Sequence, residues 1–590
     1  MGKGFGQPKA VPTRNVTQFM RAFGKCYANA KGDKRQVEQF LQKHLAKLDE
    51  NLLEALPQVF PKLLAGGQFG DTQNVASLFI AFGSSLWKFP LGDRALNLEL
   101  SIAASQVALK VYPRNAFPEQ WAGIQNNIGN VYIDRICSDR AENLEQAIAA
   151  YELALQVYSH VAFPQEWATT QNNLGIAYRN RIRGNRAENL EQAIVAYELS
   201  LQVRTRSAFP EEWAMTQNNL GAAYSDRIRG DRAENLEQAI ATYELALQIY
   251  TRDAFPEKWA GTQSNLGSVY WDRIRGDRAE NLEQSIAAYE LALQIYTRDA
   301  FPENWGRSQN NLGNIYRDRI RGNPVENLEK AVEAYELANH VSTREAFPEA
   351  WARHRGNLAE ALIKRASLTE NLIDLDTAIT LLKRALEVAV PGSPDFIDSQ
   401  YRLGNALSRR FEHNQDASDL QDALNAYTRA LDVINQEHYD RAKIWQALPA
   451  TQSVLGSRLV RKGQWQEGLQ LLLNSVRLLS EGDDHLAHAN ALYQTGRAHE
   501  TLSDWDNARL YYRDALRLYE HLNDPPGIAQ SRHGLGSVLA SQGYFKKGMA
   551  QLQQARDLYQ QLDRQNRVKE VDNLYQAAQR AEQQLSEVPA

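Results

Sequence analysis

A block of 46 residues recurs along the middle of the chain, and no other feature restricts the fold so strongly. The motif Ala-Phe-Pro-x-x-Trp places its tryptophan at Trp121, Trp167, Trp213, Trp259, Trp305 and Trp351, each 46 residues after the last. A unit that short cannot bury its own apolar face, so it packs against copies of itself, and a fixed period of roughly 20 to 50 residues is the mark of a solenoid. At 590 residues the chain also exceeds the size at which one hydrophobic core keeps growing. A repeat array follows, with function expected on an extended surface.

The copy from Phe255 to Ala300 reads as a helical hairpin. Pro256 suits a first helical turn, where its missing N–H costs nothing, and Glu257 complements the helix dipole there. Trp259, Leu266, Tyr270 and Ile274 then fall on one helical face, with Gly267 allowing close approach of a neighbouring helix. Gly276-Asp277 signals a break, and Asn281, three residues before Gln284, reads as the N-cap of a second helix with its capping-box partner. The stripe of that helix is Leu282, Ile286, Tyr289, Leu293 and Tyr296.

These residues resemble the tetratricopeptide repeat, whose pattern includes Leu-Gly-x-x-Tyr on helix A and Ala-x-x-x-Phe on helix B. Leu174-Gly175 with Tyr178, and Ala193 with Tyr197, match it. The resemblance implies an all-α fold, a TPR-type alpha-solenoid that winds helical hairpins into a right-handed superhelix. The longer motifs NNLGxAYxxRIRGxRAENLEQAI and AFPEEWA are similar to long-repeat arrays of bacterial, chiefly cyanobacterial, proteins that carry a C-terminal CHAT protease domain. Leu48-Asp49-Glu50-Asn51-Leu52 and Phe89-Pro90-Leu91-Gly92-Asp93-Arg94 resemble the N-terminal region of those proteins. Nothing near the C-terminus resembles the His and Cys dyad of that protease; more repeats stand there instead.

The expected organisation is an N-terminal helical cap over residues 1–70, with a stripe of Val37, Phe40, Leu41, Leu45 and Leu48. A long-period array follows over 71–392, its first repeat degenerate because Gly83 and Asn97 lie 46 residues before Gly129 and Asn143. Pro391-Gly392-Ser393-Pro394 marks a boundary or bend. A second array covers 393–566, in which Leu455-Gly456, Thr495-Gly496 and Leu535-Gly536 recur every 40 residues. A capping helix and tail complete the chain over 567–590, with a thin stripe of Val571, Leu574, Ala577 and Ala581.

The most repetitive polar residue is the asparagine before the Leu-Gly pair: Asn127, Asn173, Asn219, Asn265, Asn311 and Asn357. An amide offers a donor and an acceptor, enough to clamp one peptide unit of an extended ligand. Tetratricopeptide proteins similar to kinesin light chains hold a ligand backbone with an asparagine at the matching place, so the resemblance implies a peptide-binding ladder on the concave face. The alternative is that these amides tie helix A to the adjacent repeat. Specificity is expected where the copies differ on that face, at Asn130, Ile176, Ala222, Ser268 and Asn314 and at Arg179, Trp271 and Arg317. Trp271, read as an aromatic found in one copy only, is a candidate anchor. The six repeated tryptophans are read as packing.

Composition narrows the function classes. With 66 Lys and Arg against 71 Asp and Glu the net charge is −5, which gives no overall pull toward nucleic acid or anionic lipid. The copy from 255 to 300 carries five basic and seven acidic residues, so its arginines are expected to form ion pairs with partners such as Glu142, Glu188, Glu234 and Glu280. Cys26 and Cys137 support neither a disulfide framework nor a zinc site. No phosphate loop, metal-spaced cluster or nucleophile constellation occurs, so no enzyme, cofactor or metal is expected. The N-terminal stretch lacks an apolar leader and no run of 18 apolar residues occurs, giving an expectation of a cytoplasmic protein that engages neither membrane nor nucleic acid. The function expected is a non-enzymatic scaffold or adaptor binding a protein or extended peptide. Two alternatives are a sensor subunit controlling a separately encoded effector such as a CHAT-type protease, and a self-assembling structural protein.

Overall fold

Phe-Pro opens each A helix of the long repeats. Proline takes the first helical position, where a backbone N–H would have no partner, and a glutamate follows in the first turn. The computed structural model describes residues 13–586 apart from 342, 346 and 435–439. Its helices gather into two compact units, Met1–Tyr296 and Thr297–Ala590. The first twelve residues of the N-terminal stretch discussed above lie outside the described residues.

The first unit opens with α1 (Thr13–Ala30), α2 (Lys34–Lys43) and α3 (Glu50–Ala65). Their core holds Phe23, Leu41, Leu56 and Val59. The degenerate hairpin is α4 (Thr72–Lys88) and α5 (Arg94–Leu109). Four long hairpins follow: α6 (Pro118–Asp134) with α7 (Arg140–Leu155), α8 (Pro164–Asn180) with α9 (Arg186–Val203), α10 (Pro210–Asp226) with α11 (Arg232–Leu247), and α12 (Pro256–Asp272) with α13 (Arg278–Leu293).

The second unit continues with α14 (Pro302–Asp318), α15 (Pro324–Asn339), α16 (Pro348–Thr369), α17 (Leu372–Leu386), α18 (Pro394–Asn414) and α19 (Ala417–Val433). The shorter hairpins are α20 (Asp440–Arg461) with α21 (Trp465–Ser480), α22 (His485–Thr501) with α23 (Trp505–Leu522), and α24 (Pro525–Ser541) with α25 (Phe545–Gln561). The last helix is α26 (Gln565–Ser586), which buries Val571 and Ala578. The apolar core of this unit runs unbroken from Leu328 to Leu459, past the turn at Pro391–Pro394, where Ser393 caps α18.

The Leu-Gly pair earns its place by contact. A Cβ on Gly175 would stand 2.6 Å from Tyr197 of helix B, and one on Gly267 would stand 2.8 Å from Tyr289, so only glycine lets the hairpin close over that ring.

Two readings of the copy at 255–300 need correction. Helix B begins four residues before the expected cap: Asp277 is the N-cap, its carboxylate accepting from the Glu280 N–H. Asn281 lies inside the helix, 2 % exposed, and its amide donates to the Arg275 carbonyl at 2.9 Å. Asp at position 277 and Asn at 281 both have capping chemistry, and spacing to Gln284 favoured the wrong one. Ile274 is not part of the buried stripe, because α12 has already ended at Asp272 and the side chain is 60 % exposed.

Candidate functional site: the inner face of the A helices

Within each unit, the A helices of successive hairpins approach one another more closely than the B helices do. The A helices therefore line the inner curve, and the candidate residues stand on them.

The asparagine ladder is engaged between repeats. Asn173 Nδ2 donates to Asn130 Oδ1 at 3.0 Å and to Asn126 Oδ1 at 3.4 Å. Asn219 donates to Asn172 Oδ1 at 3.1 Å and Asn265 to Asn218 Oδ1 at 3.3 Å. In the second unit Asn357 donates to Asn310 Oδ1 at 3.0 Å. Threonines reinforce the rail, Thr216 bonding Asn172 and Thr262 bonding Asn218. Each rung reaches a residue 47 positions earlier. For Asn127 that position is Ile80, which offers no acceptor, and the Asn127 side chain bonds to no group among the described residues. Asn311 has contacts of its own.

The variable positions divide in the same way. Asn130 accepts from the Tyr151 hydroxyl at 2.8 Å. Ile176 packs beside Ile194 and Tyr197, and Ala222 is buried. Ser268 is exposed. Arg179 pairs with Asp226 of the next repeat at 2.9 Å. Trp271 is half-buried, and its indole N–H is enclosed without an acceptor. In the second unit Asn314 accepts from the Tyr335 hydroxyl at 2.7 Å. Arg317, with its side chain 11 % exposed, bonds Asp318 and Glu360, each at 3.0 Å. Lys364 and Arg402 also reach Glu360. Burial alone would raise the Glu360 carboxyl, but Arg402 and Arg317 outweigh it and hold the group below the usual carboxylate range.

Trp271 does not stand alone in its row. Trp87 lies four periods of 46 residues earlier, on α4, and donates to Asp134 at 2.7 Å. The degenerate sequence around Trp87 hid this register.

Arginines staple the repeats together. Arg135, Arg181, Arg227 and Arg273, just past the A helices, each make a two-pronged pair with a glutamate of the preceding B helix: Glu99, Glu145, Glu191 and Glu237, at 2.7 to 2.8 Å. The hydrogen bond from its arginine is what depresses the carboxyls of Glu145, Glu191 and Glu237. The expected outer pairs also form, Arg183 with Glu142, Arg229 with Glu188 and Arg275 with Glu234. Partners 36 residues apart, one to each repeat, cannot be paired from periodicity alone, and the inner glutamates were missed for that reason.

The repeated tryptophans pack. Trp121 and Trp167 flank Ala122, Ala154 and Tyr158, and Trp213 and Trp259 flank Ala214, Ala246 and Tyr250. Among the described residues no group of His, Cys, Asp and Glu could hold a metal, and no helix is long and apolar enough to cross a membrane.

Comparison with solved structures finds helical-repeat proteins at low identity. Human IFIT1, solved as a dimer with PPP-AAAA, is 16% identical over 85% of this chain and 94% of that one, with a TM-score of 0.39. The apo form of the quorum sensor NprR from B. thuringiensis is 17% identical over 72% and 99%, with a TM-score of 0.41. Pseudomonas aeruginosa pilF is 17% identical over 47% and 95%, with a TM-score of 0.31. At these values the likenesses say nothing about ligands. Tetratricopeptide repeat models match residues 167–202, 213–252 and 259–298, and a further one matches 447–521. Arrays of this kind are in general non-catalytic and serve protein interaction. With Leu-Gly closing on a helix B tyrosine in copy after copy, the chain is a tetratricopeptide repeat protein.

Proposed function

We propose that the chain is a non-enzymatic scaffold whose inner face binds an extended segment of a protein partner. One observation carries this reading. The repeated asparagines from Asn173 onward are engaged within the array, whereas two inner-face side chains of the first unit have no partner among the described residues: Asn127, the first rung of the ladder, and Ser268, at a position that changes from copy to copy. A clamp on ligand backbone is accordingly assigned to Asn127, since the amide N–H groups of Asn173, Asn219, Asn265 and Asn357 already have acceptors. Exposed inner side chains set which segment fits.

Affinity capture from native lysate with mass spectrometry tests this, comparing wild type with the double variant Asn127→Lys, Ser268→Lys. Both substitutions add bulk and charge to the inner face without breaking an inter-repeat bond. A partner captured by wild type and lost by the folded variant supports the reading; identical partners for both proteins contradict it.

A second reading, self-association, has one observation in its favour. Ile136, Ile182, Ile228 and Ile274 are 60 to 62 % exposed at the A–B turns of four successive repeats. Light scattering of wild type and of the four Ile→Ser replacements decides it: mass that rises with concentration only in wild type supports assembly through this edge.

A further inference from the structure

A niche on the inner face of the second unit lies between α20 and α22, over a floor of Val460 and Ala498, both 3 % exposed. Its volume is about 20 Å³, little more than the roughly 10 to 15 Å³ that one water molecule needs. A small polar group fits it and a large side chain does not.

The residues around the niche include two arginines and no carboxylate. Arg461 stands in the last turn of α20 and Arg497 within α22, both exposed. Neither lies within salt-bridge distance of an aspartate or glutamate among the described residues. Arg461 engages only its Nε, which donates to the Ser457 carbonyl at 3.3 Å, and the Arg497 guanidinium bonds to no described group. Glu500, one turn beyond Arg497, accepts from the Tyr512 hydroxyl. The arginines that hold this unit together differ: Arg317, Arg365, Arg402 and Arg410 each grip a carboxylate.

One more donor borders the niche. Gln494 Oε1 faces the Ser457 hydroxyl at 3.3 Å, which leaves the amide N–H groups of Gln494 without an acceptor among the described residues. Thr501 donates its own proton to the Arg497 carbonyl at 2.9 Å. In the 40-residue register Arg461 falls where the next hairpins have Thr501 and Ser541, and Arg497 falls where its neighbours have Ser457 and Ser537. The pair equivalent to Arg461 and Arg497 on α22 and α24 is therefore Thr501 and Ser537, two hydroxyls in place of two guanidinium groups. Like charges brought together with no counter-charge repel, and an anion between them removes that cost. A carboxylate offers one charge and two coplanar oxygens, which a single guanidinium fork satisfies. A phosphate monoester offers close to two charges and three oxygens, which suits two guanidinium groups and an amide on separate helices.

We propose that this niche binds the phosphate of a phosphoserine or phosphothreonine in an extended segment of a protein partner, one oxygen entering beside the Gln494 amide and the others meeting Arg461 and Arg497. The peptide source rests on the scaffold reading; the phosphate chemistry rests on the niche alone.

The test uses the full chain and three fluorescein-labelled peptides read by polarisation: Gly-Ala-Ser-Ala-Gly-Ala with its serine phosphorylated, the same unphosphorylated, and the same with glutamate for serine. Inorganic phosphate and a single-stranded oligothymidylate serve as competitors. The phosphopeptide should bind about tenfold or more tightly than either twin, with a preference that shrinks as salt is added. Arg461→Gln with Arg497→Gln alters only exposed side chains, so helix content should be unchanged, and it should abolish the preference. Equal binding of the phosphorylated and unphosphorylated peptides to wild type, or a preference that survives in the arginine variant, overturns the proposal. Inorganic phosphate or oligothymidylate that displaces the phosphopeptide at concentrations below the peptide's own Kd overturns the peptide source. Asn127→Lys, Ser268→Lys changes only the first unit and should keep the phosphate preference even where it loses a captured partner, so the niche and the inner-face reading of the first unit fail separately.

Discussion

At the scale of single residues, the array punishes departures from its own consensus in proportion to what each side chain touches. Gly175→Ala places a methyl group against the Tyr197 ring, 2.6 Å away. It should destabilise its hairpin by about 1–3 kcal/mol, seen as a lower urea midpoint with unchanged helix content. Arg204 is the opposite case, a native departure. It stands where other copies have Tyr158, Tyr250 and Tyr296, is 5 % exposed, and among the described residues its guanidinium hydrogen-bonds the hydroxyls of Thr216 and Thr169, at 3.1 and 2.9 Å. Burial depresses its pKa, and the more distant Glu212 offsets this only in part. Arg204→Tyr restores the hydrogen bond that Tyr158 and Tyr250 make to a helix A carbonyl, and is expected to raise the melting temperature. A lower one would mean that the guanidinium has a stabilising role the hydroxyl contacts do not explain.

At the scale of helices, capping and interior asparagines are separable. Asp277→Ala removes one side-chain cap and should cost about 1 kcal/mol. Asn281→Ala leaves the carbonyls of Arg275 and Arg273 without their donor inside the hairpin and should cost more, about 1–3 kcal/mol. Hydrogen exchange of α13 in the two variants checks the order; a larger effect at Asp277 would reverse the assignment of roles. The helices themselves were legible in the sequence because proline, glycine and the apolar stripe recur at the same places in each copy. What the period could not supply was the point at which a stripe stops being helical, so Ile274 was counted with Tyr270 although the chain had turned. It also could not show partners that cross repeats, such as Arg181 with Glu145, or a register obscured by divergence, as at Trp87.

At the scale of the molecule, stability is a sum of local interfaces, and each unit should loosen repeat by repeat. Acid acts on two kinds of group in the same direction. His354, 4 % exposed, has its pKa pulled down to about 4 by burial and then by Arg353. The unfolded chain therefore binds the proton first, and stability falls as pH drops from about 6.5 toward 4, by up to about 3 kcal/mol. Glu145, Glu191 and Glu237 are held below the usual carboxyl range by their arginines. Their contribution is present above the unfolded carboxyl pKa and is lost at lower pH, as the folded groups protonate. Thermal melts of wild type and His354→Thr across this range should diverge near pH 5 and run parallel above pH 7, about where the imidazole is neutral in both states. Curves parallel throughout would remove His354 from the account.

The central claim concerns which face of the array meets the partner. Hydrogen–deuterium exchange with the captured partner bound reads this helix by helix. Added protection on the inner helices α4, α6, α8, α10 and α12, with α5, α7, α9, α11 and α13 unchanged, is the result expected. Protection on those B helices, or along the turns that carry Ile136 to Ile274, would contradict it.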